Sequence, residues 1–502
     1  MAILLVGAVA LTGMPAAAAT GGNLELDRTS EESAWSWLRS QLGTGTEVTT
    51  SSRIQPERSY PASWTDQVEG HFVLVGVEPP TVGHELVDGV PVYQNLRVQA
   101  LVVTDTTYLI ATVPARADGT FSFPWSRPGT KVFRLVDTSS DAVLAEFAPR
   151  TGLVRSFGVD ASHPLSGRTF AYDQALALLA ADSLGHRDTA RHLADGLLRL
   201  QTRHGPQAGG FISSAAALNP AAGRPEYRTG IHAVATYALL AHLRSLPRLD
   251  PRRAELAAAA HCAVDWLLDQ QANDGPLRGL VTGGHGMFRD GGFDPGAAVP
   301  WASTEHNIDA WHTLSLADTV LGHARAGAAA RVLDQAIMDR LWVPGEGRFL
   351  QGRTPDGPDP TEVLDVSSWG AIYLEASGRH PEALAALGHT SAFASVAGPV
   401  SGFAPRPVAP ASPLVWLEGS AGVAVAQHVT GDGDGAEATL RALRPAQQPS
   451  GAYPGATRDD PYLEMTTWPA VAATAWVILG AQAVAGRPSI WDVSPIEGAD
   501  RS

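Results

Sequence analysis

The chain has 502 residues, of which 44% are hydrophobic and 17% charged, so it can bury a large core and is not a disordered protein. Its 51 acidic residues exceed its 36 basic residues, and the net charge of −15 makes nucleic acid and anionic membranes poor partners. A single cysteine excludes a disulfide-knit scaffold. The length indicates two or three domains, or one large barrel with an appendage.

The amino-terminal stretch is uncharged and contains an apolar run, Ile3–Leu11, which is followed by small residues up to Ala19. This pattern is typical of a secretory signal, so we expect residues 1–19 to be removed near Ala19–Thr20 and the protein to be secreted. The basic residue that usually precedes such a core is missing, which leaves open whether the start is truncated. The alternative is an uncleaved anchor, although a run this short spans a bilayer poorly.

Two segments of different character follow. Residues 20–68 are polar and form a predicted linker with one helical stretch, Glu31–Leu42. Residues 69–150 contain short runs of β-branched and aromatic residues between turn signals, which predicts a small β-sandwich accessory module. Within it, Val113–Phe123 resembles the strand–turn–strand unit of immunoglobulin-like modules in exported proteins.

From about residue 165 the hydrophobic pattern becomes helical and repeats every 50 to 70 residues or so, which predicts stacked helical hairpins. Segments that are apolar on all sides predict buried helices, and these are Phe170–Ala181, Thr229–Leu243, Ser303–Leu321, Leu364–Ser377, Trp416–His428 and Thr466–Ala485. Segments with one charged face predict outer helices, and these are Asp188–His204, Arg252–Gln271, Ala326–Leu341, Pro381–Phe393 and Gly435–Gln447. With Glu31–Leu42 as the sixth outer helix, the pattern predicts an (α/α)6 toroid over residues 165–490.

Carboxylate, hydroxyl and indole side chains cluster where each predicted buried helix begins. If those helices are parallel, all six starts meet at one mouth, and a basin of this composition suits a sugar. Glu305, Asp309 and His312 share one helix face because their spacing is i, i+4, i+7. Ordinary helix capping and a solvated helix face remain the alternatives.

Metal and thiol chemistry have weaker support. His306, Asp309, His312 and His285 match no zinc-binding spacing, and Gly431–Gly435 lacks the distal glutamate of a calcium loop. We therefore expect no metal and no cofactor. Cys262 lies in a helical pattern and is interpreted as a small buried hydrophobe rather than a nucleophile.

Four stretches of the helical region carry a family resemblance: Tyr172–Ala177, Ser303–Asp309, Trp416–Gly419 and Ala472–Trp476. With the helix repeat, they make residues 165–485 resemble the six-hairpin toroid superfamily of carbohydrate-active enzymes. The resemblance implies a carbohydrate substrate and an active site at the mouth formed by the inner-helix amino termini. It also implies that the reaction is often inverting, with the two carboxylates on different inner helices.

Glycoside hydrolysis uses two carboxyl groups, an acid and a base or nucleophile. We expect Glu305 to be the general acid, because aromatic and histidine residues flank it, with Glu418 as the first choice of base and Asp173 as the second. Residues expected to bind hydroxyls or tune a pKa are Arg228, His232, His306, Asp309, Asp365 and Glu464. Residues expected to stack on sugar rings are Tyr172, Trp301, Trp369, Trp416 and Trp468.

Three other functions stay open. A polysaccharide lyase on the same scaffold would use Tyr227, Arg228 and His232 as base and cation. A non-catalytic protein would only hold a glycan. A terpene-cyclase-like toroid has distant support from Trp266–Gly275, but the acidic motif of those enzymes is missing. The sugar, the linkage, endo or exo action and the oligomeric state are left undetermined.

Overall fold

The computed structural model describes residues 23–42, 66–71, 81–103, 107–125, 130–147, 151–160, 163–217, 223–289, 291–407 and 413–491. The predicted secretory signal and most of the predicted linker lie outside these residues. Within them, no helix combines the length and the apolar character needed to cross a bilayer.

The helices account for most of the described chain. In chain order they are α1 (Asn23–Ser40), α2 (Ala171–Ser183), α3 (Arg187–Leu200), α4 (Thr229–Ser245), α5 (Arg253–Asp269), α6 (Thr304–Leu321), α7 (Ala324–Arg340), α8 (Asp365–Ala376), α9 (His380–His389), α10 (Leu417–Val429), α11 (Gly433–Leu443) and α12 (Val471–Val484). Short 3-10 helices follow α9 and α11, at Thr390–Phe393 and Arg444–Ala446.

The even-numbered helices form a closed inner ring, in which each helix contacts the next and α12 contacts α2. The odd-numbered helices lie outside this ring, and α1 takes the sixth outer place against α12. An α/α toroid is therefore the fold of the helical region. The inner helices are buried because they are apolar all round, as in α12, whereas α3 buries only a leucine-rich stripe that includes Leu193 and Leu197.

A polar side chain at the fourth residue of five inner helices accepts a hydrogen bond from the backbone N–H of an incoming loop. The acceptors are Gln174, His232, Asn307, Ser420 and Thr474, and the donors are Val154, Phe211, Val281, Phe403 and Tyr453, at 2.8–3.2 Å. These bonds satisfy backbone groups that would otherwise be buried without a partner. They also hold the five helices at the same depth and rotation, so the second residue of each takes an equivalent place at the mouth.

Turns with a glycine in the left-handed region lead from outer helices back to the inner ring. Gly209 has φ 91°, and a Cβ there would overlap the backbone carbonyl of Cys262 on α5. Gly451 has φ 95° and lies equally close to the Ser33 carbonyl on α1. The aromatic residue that follows each turn, Phe211 or Tyr453, is buried, so the glycine–aromatic motif joins neighbouring hairpins.

A glutamine just beyond an outer helix reinforces the same joins. The Gln201 side chain donates to the carbonyls of Gly209 and Ala259, at 3.0 and 2.9 Å. Gln271 repeats the arrangement one hairpin later, and Gln447 repeats it between the α11 region and α1. Gln447 Nε2 donates to the Ser30 carbonyl and Gln447 Oε1 accepts from the Ser30 hydroxyl, which shows how α1 closes the outer ring.

The amino-terminal strands are β1 (Asp66–His71), β2 (Val82–Val87), β3 (Val90–Val103), β4 (Thr107–Arg116), β5 (Thr120–Trp125), β6 (Thr130–Asp137) and β7 (Ala142–Phe147). One sheet contains β2, β3, β4, β6 and β7, and β1 pairs antiparallel with β5. Phe121 and Phe123 of β5 contact Phe133 of β6 across a small core. The strands begin at Asp66, and the domain bounds, the β-sandwich and its immunoglobulin-like resemblance stay predictions.

Short strands surround the starts of the inner helices. They are β8 (Arg168–Phe170), β9 (Ser214–Ala216), β10 (Tyr227–Arg228), β11 (Gly284–Arg289), β12 (Gly292–Ala298), β13 (Ala302–Ser303), β14 (Trp342–Val343), β15 (Arg348–Phe349), β16 (Gly352–Thr354), β17 (Gly357–Asp359), β18 (Ala394–Ala397) and β19 (Val400–Phe403). They pair as β8–β9, β10–β11–β12, β13–β16–β17, β14–β15 and β18–β19. Since β8, β10 and β13 lead directly into α2, α4 and α6, these sheets fix where those helices begin.

Candidate active site

Three of the predicted residues occupy the second position of their inner helices: Tyr172 on α2, Glu305 on α6 and Glu418 on α10. Asp365 opens α8. The Tyr172 hydroxyl donates a 2.6 Å hydrogen bond to Glu418 Oε1 and accepts one from Trp476 Nε1 at 2.9 Å. One hydrogen-bond network therefore joins α2, α10 and α12 near the starts of α2 and α10, and a basin shared by all six starts stays a prediction.

The basin contains four carboxyl groups whose charges affect one another's pKa: Glu305, Asp309, Asp365 and Glu418. Burial raises the pKa of Glu305 well above its usual range, and the charges of Asp365, Asp309 and Glu418 raise it further. Burial and Asp365 likewise raise the pKa of Asp309. Because like charges in a buried site disfavour joint ionisation, the group retains protons at neutral pH.

The two remaining carboxyls are more acidic. Burial raises the pKa of Asp365 to about 6, against the opposing effect of the Val366 amide, which donates to Asp365 Oδ1 at 2.7 Å. Burial raises the pKa of Glu418 to about 8, and the hydrogen bond from Tyr172 opposes that rise. The cluster therefore combines an acid that holds its proton with carboxyls that ionise more readily, which is the division that acid–base catalysis uses.

Asp173, the second choice of base, is committed to other partners. It is 5% exposed and accepts hydrogen bonds from the Ser156 hydroxyl and the Ala472 amide. Burial raises its pKa to about 7. The charge of Asp173 raises the pKa of Glu418, so Asp173 lies near the four carboxyls. Its own oxygens, however, accept hydrogen bonds where α2 packs against α12.

Aromatic rings form one wall of the basin. Trp369 stacks on Trp476, with ring centroids 5.4 Å apart and planes 11° apart. Trp369 lies one turn after Asp365, is buried, and its Nε1 has no hydrogen-bond partner within the described chain. Since Trp476 covers one of its faces, Trp369 offers an N–H donor rather than the expected stacking platform.

His306 lies beside Glu305 at the mouth. A Cβ at Gly230 would overlap its ring, so the glycine at the second position of α4 makes room for the imidazole. The Trp301 ring is 5.4 Å from the His306 ring. Burial, and then the charge of Arg228, lower the pKa of His306 to about 4, so the ring is neutral at pH 7. Its Nδ1 is buried without a partner in the described part of the chain.

Two expected substrate-binding residues have structural roles. The His232 ring bonds to the Phe211 amide and the Ala263 carbonyl, and burial lowers its pKa to about 3. It is the loop-anchoring residue of α4, equivalent to Gln174 and Asn307. Arg228 donates to the carbonyls of His285 and Gly286 and pairs with Glu226 at 2.9 Å. These contacts give both side chains structural partners that the sequence does not show, and their substrate-binding roles stay predictions.

The loop between Tyr453 and α12 carries two more of the predicted residues. Glu464 is exposed and has a φ of 56°, and no contact within the described chain links it to the four carboxyls. Trp468 packs edge-on against Phe157 and His163, with centroids 5.7 and 4.4 Å away. These side chains belong to the rim rather than to the centre of the basin.

The last two aromatic residues are Trp416, which was predicted to stack on a sugar, and Trp491, which was not predicted. Trp416 is half-buried and lies over the backbone of Gly419 at the start of α10. Trp491 is an addition that the sequence reasoning missed: it follows α12 and stacks on His312, with centroids 5.0 Å apart. Both His312 nitrogens and Trp491 Nε1 are buried without partners in the described chain. The inward face of α6 is therefore polar from Glu305 through Asp309 to His312.

Trp476 was also missed as a site residue. In the sequence it belongs to one of the family-like stretches, Ala472–Trp476, and in the structure its Nε1 donates a hydrogen bond to the Tyr172 hydroxyl. Its place in a helix that is otherwise apolar was the available signal. Cys262 is exposed on α5, which corrects the expectation that it is buried. Among the described residues, no group of three His, Cys, Asp or Glu side chains is arranged to hold a metal ion.

Comparison with known proteins gives similarity of fold only. No protein-family model and no curated protein matches the chain. A crystal structure of D-mannose isomerase has a TM-score of 0.50 and 13% identity, covering 68% of this chain and 93% of that one. A wild-type glycosidase has a TM-score of 0.48 and 14% identity, covering 67% and 93%. A family 76 glycoside hydrolase from a bovine Bacteroides thetaiotaomicron strain has a TM-score of 0.46 and 8% identity, covering 84% and 96%.

Proposed function

We propose that the protein is a secreted glycoside hydrolase that cleaves a polysaccharide or an oligosaccharide in the basin at the inner-helix amino termini. The observation that carries the proposal is the convergence of Glu305, Asp365 and Glu418 from three different inner helices onto one buried network with Tyr172. Two carboxyl groups on opposite sides of a sugar are the machinery that glycoside hydrolysis requires.

Glu305 is the proposed general acid. Burial and its carboxyl neighbours raise its pKa well above the ordinary value, so the side chain is protonated at neutral pH. A protonated carboxyl can donate to the glycosidic oxygen as the bond to the leaving sugar breaks. The neutral ring of His306 and the indole of Trp301 lie alongside, where they can contact the sugar that is released.

Glu418 is the proposed base. Tyr172 holds Oε1, which fixes the carboxylate and leaves Oε2 for a water molecule or a sugar carbon. The hydrogen bond from Tyr172 favours the ionised form, so a larger fraction of Glu418 can act as a base than burial alone would allow, while its pKa of about 8 leaves most of it protonated at neutral pH. Asp173 remains the second choice, but its bonds to Ser156 and Ala472 make it less suited to the role.

A glycan panel tests the proposal. The purified protein is incubated with neutral, acidic and amino-sugar glycans, and hydrolysis is measured by the release of reducing ends. The anomer of the first product is determined by NMR, and inversion is expected. Glu305→Gln should lower kcat on the cleaved glycan about 100- to 10,000-fold, because general acid catalysis contributes that much.

The matched control is Glu437→Gln, which makes the same chemical change at an exposed site on α11. It should keep wild-type turnover, and circular dichroism should show that both variants are folded. Wild-type turnover in Glu305→Gln would contradict the assignment. Glycan binding without any new reducing ends would favour the non-catalytic alternative.

A sugar isomerase is the second candidate. The isomerase of similar fold gives it a precedent, and the specific observation is His306, whose neutral ring has a buried, unpartnered Nδ1 that could move a proton on a sugar. Interconversion of free hexoses without hydrolysis, lost in His306→Asn, would favour it. The lyase is less favoured, because Arg228 and His232 are already bonded to Glu226 and to backbone groups.

A further inference from the structure

The basin holds more carboxyl groups than hydrolysis uses. The proposed function assigns Glu305 and Glu418 to the reaction, and the inference that follows rests on that assignment. Asp309 and Asp365 are then left without a chemical role, although both are held within the same cluster. Burying two additional carboxyls is unfavourable unless something compensates them.

Asp309 is the clearest sign of an absent partner. Its side chain is 1% exposed, and its Oδ1 receives no hydrogen bond from any group in the described chain. Asp365 has Oδ1 occupied by its own helix and acts directly on Asp309. A buried acceptor without a donor is rare in native proteins, so the pair points to a ligand that donates.

The charges around the pair indicate what kind of donor is missing. In the described part of the chain, none of the four carboxyls forms an ion pair with arginine, lysine or histidine. Arg406 lowers the pKa of Asp365 by less than burial raises it. Arg228 faces His306 and is paired with Glu226, and the other nearby titrating groups, Asp173 and Tyr172, are acidic or neutral.

We propose that the substrate is an amino sugar, such as a glucosamine residue, and that its protonated amino group binds between Asp309 and Asp365. The ammonium group supplies hydrogen-bond donors and a positive charge in direct contact with the two carboxyls, neither of which Arg406 provides, since it acts on Asp365 without forming an ion pair. The net charge of −15 attracts a cationic glycan toward the protein.

The test compares two probes with the same sugar backbone, a glucosamine tetramer, whose nitrogens carry positive charge, and its fully N-acetylated counterpart, whose larger acetamide groups are neutral. Binding is measured by calorimetry with Glu305→Gln, so that neither probe is hydrolysed during the titration. The glucosamine tetramer should bind about tenfold more tightly or better, since its ammonium groups can form ion pairs with these carboxyls whereas the acetamide groups cannot, and tenfold corresponds to about 1.4 kcal/mol. Equal affinities, or tighter binding of the acetylated probe, would overturn the inference.

Proton release provides a second readout. A bound cation favours ionisation of the carboxyls that surround it, so at an acidic pH, where the amino groups of the free probe are already fully protonated, the glucosamine tetramer should release protons and its acetylated counterpart should not. Repeating the titrations in two buffers with different ionisation enthalpies measures the number released. Absence of release with the glucosamine tetramer would contradict an ammonium site among these carboxyls.

Two variants locate the site. Asp365→Asn and Asp309→Asn should each weaken binding of the glucosamine tetramer about tenfold or more, while Asp434→Asn on the outer helix α11 should leave the affinity unchanged. If Asp309→Asn does not fold, Asp365→Asn and the two-probe comparison still decide. Cleavage of a neutral glycan in the panel, with no preference for the amino sugar, would overturn this inference but leave the proposed function intact.

Discussion

Tyr172 joins the start of α2 to Glu418, 246 residues further along the chain, and Trp476 holds its hydroxyl in place. This three-residue contact explains how a buried glutamate can ionise in an apolar ring of helices. The tyrosine hydrogen bond favours the carboxylate, whereas burial favours the neutral acid. Tyr172 therefore positions the proposed base through its hydroxyl, and stacking of its ring on a sugar stays a prediction.

Removing the Tyr172 hydroxyl should move the pH dependence of the reaction. In Tyr172→Phe the pKa of Glu418 rises, because the bond that lowers it is lost. The acidic limb of the kcat profile should shift toward higher pH, and kcat at neutral pH should fall about tenfold, as about one pKa unit would produce. A profile that is lower at every pH but not shifted would show that the role is only structural.

Tyr373→Phe is the control for that change. Tyr373 is also buried and also donates to a carboxylate, Asp334, but it lies on the far side of α8 against α7. The variant should lose stability without altering the pH profile. A matching shift in Tyr373→Phe would mean that the profile reports stability and not the state of Glu418.

Individual residue roles were only partly predictable from the sequence. Glu305 and Glu418 could be selected because a carboxylate beside aromatic residues at the start of an apolar helix is unusual. His232 also lies beside aromatic residues at the start of an apolar helix, yet its ring nitrogens are hydrogen-bonded to backbone groups of Phe211 and Ala263. The difference depends on which atoms of distant segments lie within hydrogen-bond range, and a single sequence does not contain that information.

At the scale of the elements, the repeated turn between hairpins gives a sharp prediction. Gly209 and Gly205 lie in one loop with φ values of 91° and 86°, but a Cβ meets the Cys262 carbonyl only at Gly209. Gly205→Ala should lower the free energy of unfolding by about 1–2 kcal/mol, the strain of an alanine in the left-handed region. Gly209→Ala should lower it by about 2–5 kcal/mol, because overlap adds to that strain.

Denaturant unfolding of the two glycine variants measures the difference. The comparison isolates contact between hairpins, since backbone strain is common to both substitutions. Equal losses of stability would mean that the loop does not pack against α5 as described, and that the glycine–aromatic motif is only a local turn.

Helix positions were predicted more successfully than helix ends. The apolar runs identified the inner helices because no other element buries all of its sides. The last inner helix begins at Val471 rather than Thr466, since the preceding loop forms a bridge between Pro454 and Pro469 before the helix starts. The outer helix α3 ends at Leu200 rather than His204, because Gln201 turns away to hold Gly209. The residues at which helices begin and end depend on tertiary contacts, and the local pattern of apolar and polar residues does not contain that information.

At the scale of the whole molecule, the buried carboxyls make stability depend on pH. The folded pKa values of Asp173 and Glu418 are about 7 and about 8, above their ordinary values of 3.8 and 4.5. The folded state therefore holds more protons than the unfolded state between those limits. The stability that these groups contribute is present at low pH and is lost as pH rises through the folded pKa values.

Thermal unfolding between pH 5 and pH 8 should show this dependence. We expect Tm to fall across the range, at about 1 °C per kcal/mol of lost stability for a chain of this length, and the fall to be smaller in Glu418→Gln. The variant keeps the shape of the side chain but cannot ionise. An identical slope in the two proteins would contradict the raised pKa of Glu418.

The ring itself was the most predictable property of the molecule, since a repeat of buried and outer helices closes most simply on itself. The place of α1 was expected, but its bonds to Gln447 and Gln482 could not be foreseen across more than 400 residues. The β-sandwich, secretion and the substrate were also expectations from the sequence, and they remain predictions.

The measurement that tests the central claim most directly is the dependence of hydrolysis on the leaving group. Dinitrophenyl and phenyl glycosides of the sugar identified by the panel are compared in wild-type protein, Glu305→Gln and Glu418→Gln. If Glu305 is the general acid, kcat of Glu305→Gln on the dinitrophenyl glycoside should stay within about tenfold of wild type, because that leaving group needs no proton. On the phenyl glycoside, kcat of the same variant should fall about 100-fold or more. Glu418→Gln should lose activity on both glycosides. Equal losses on the two substrates in Glu305→Gln, or full activity in either variant, would contradict the account.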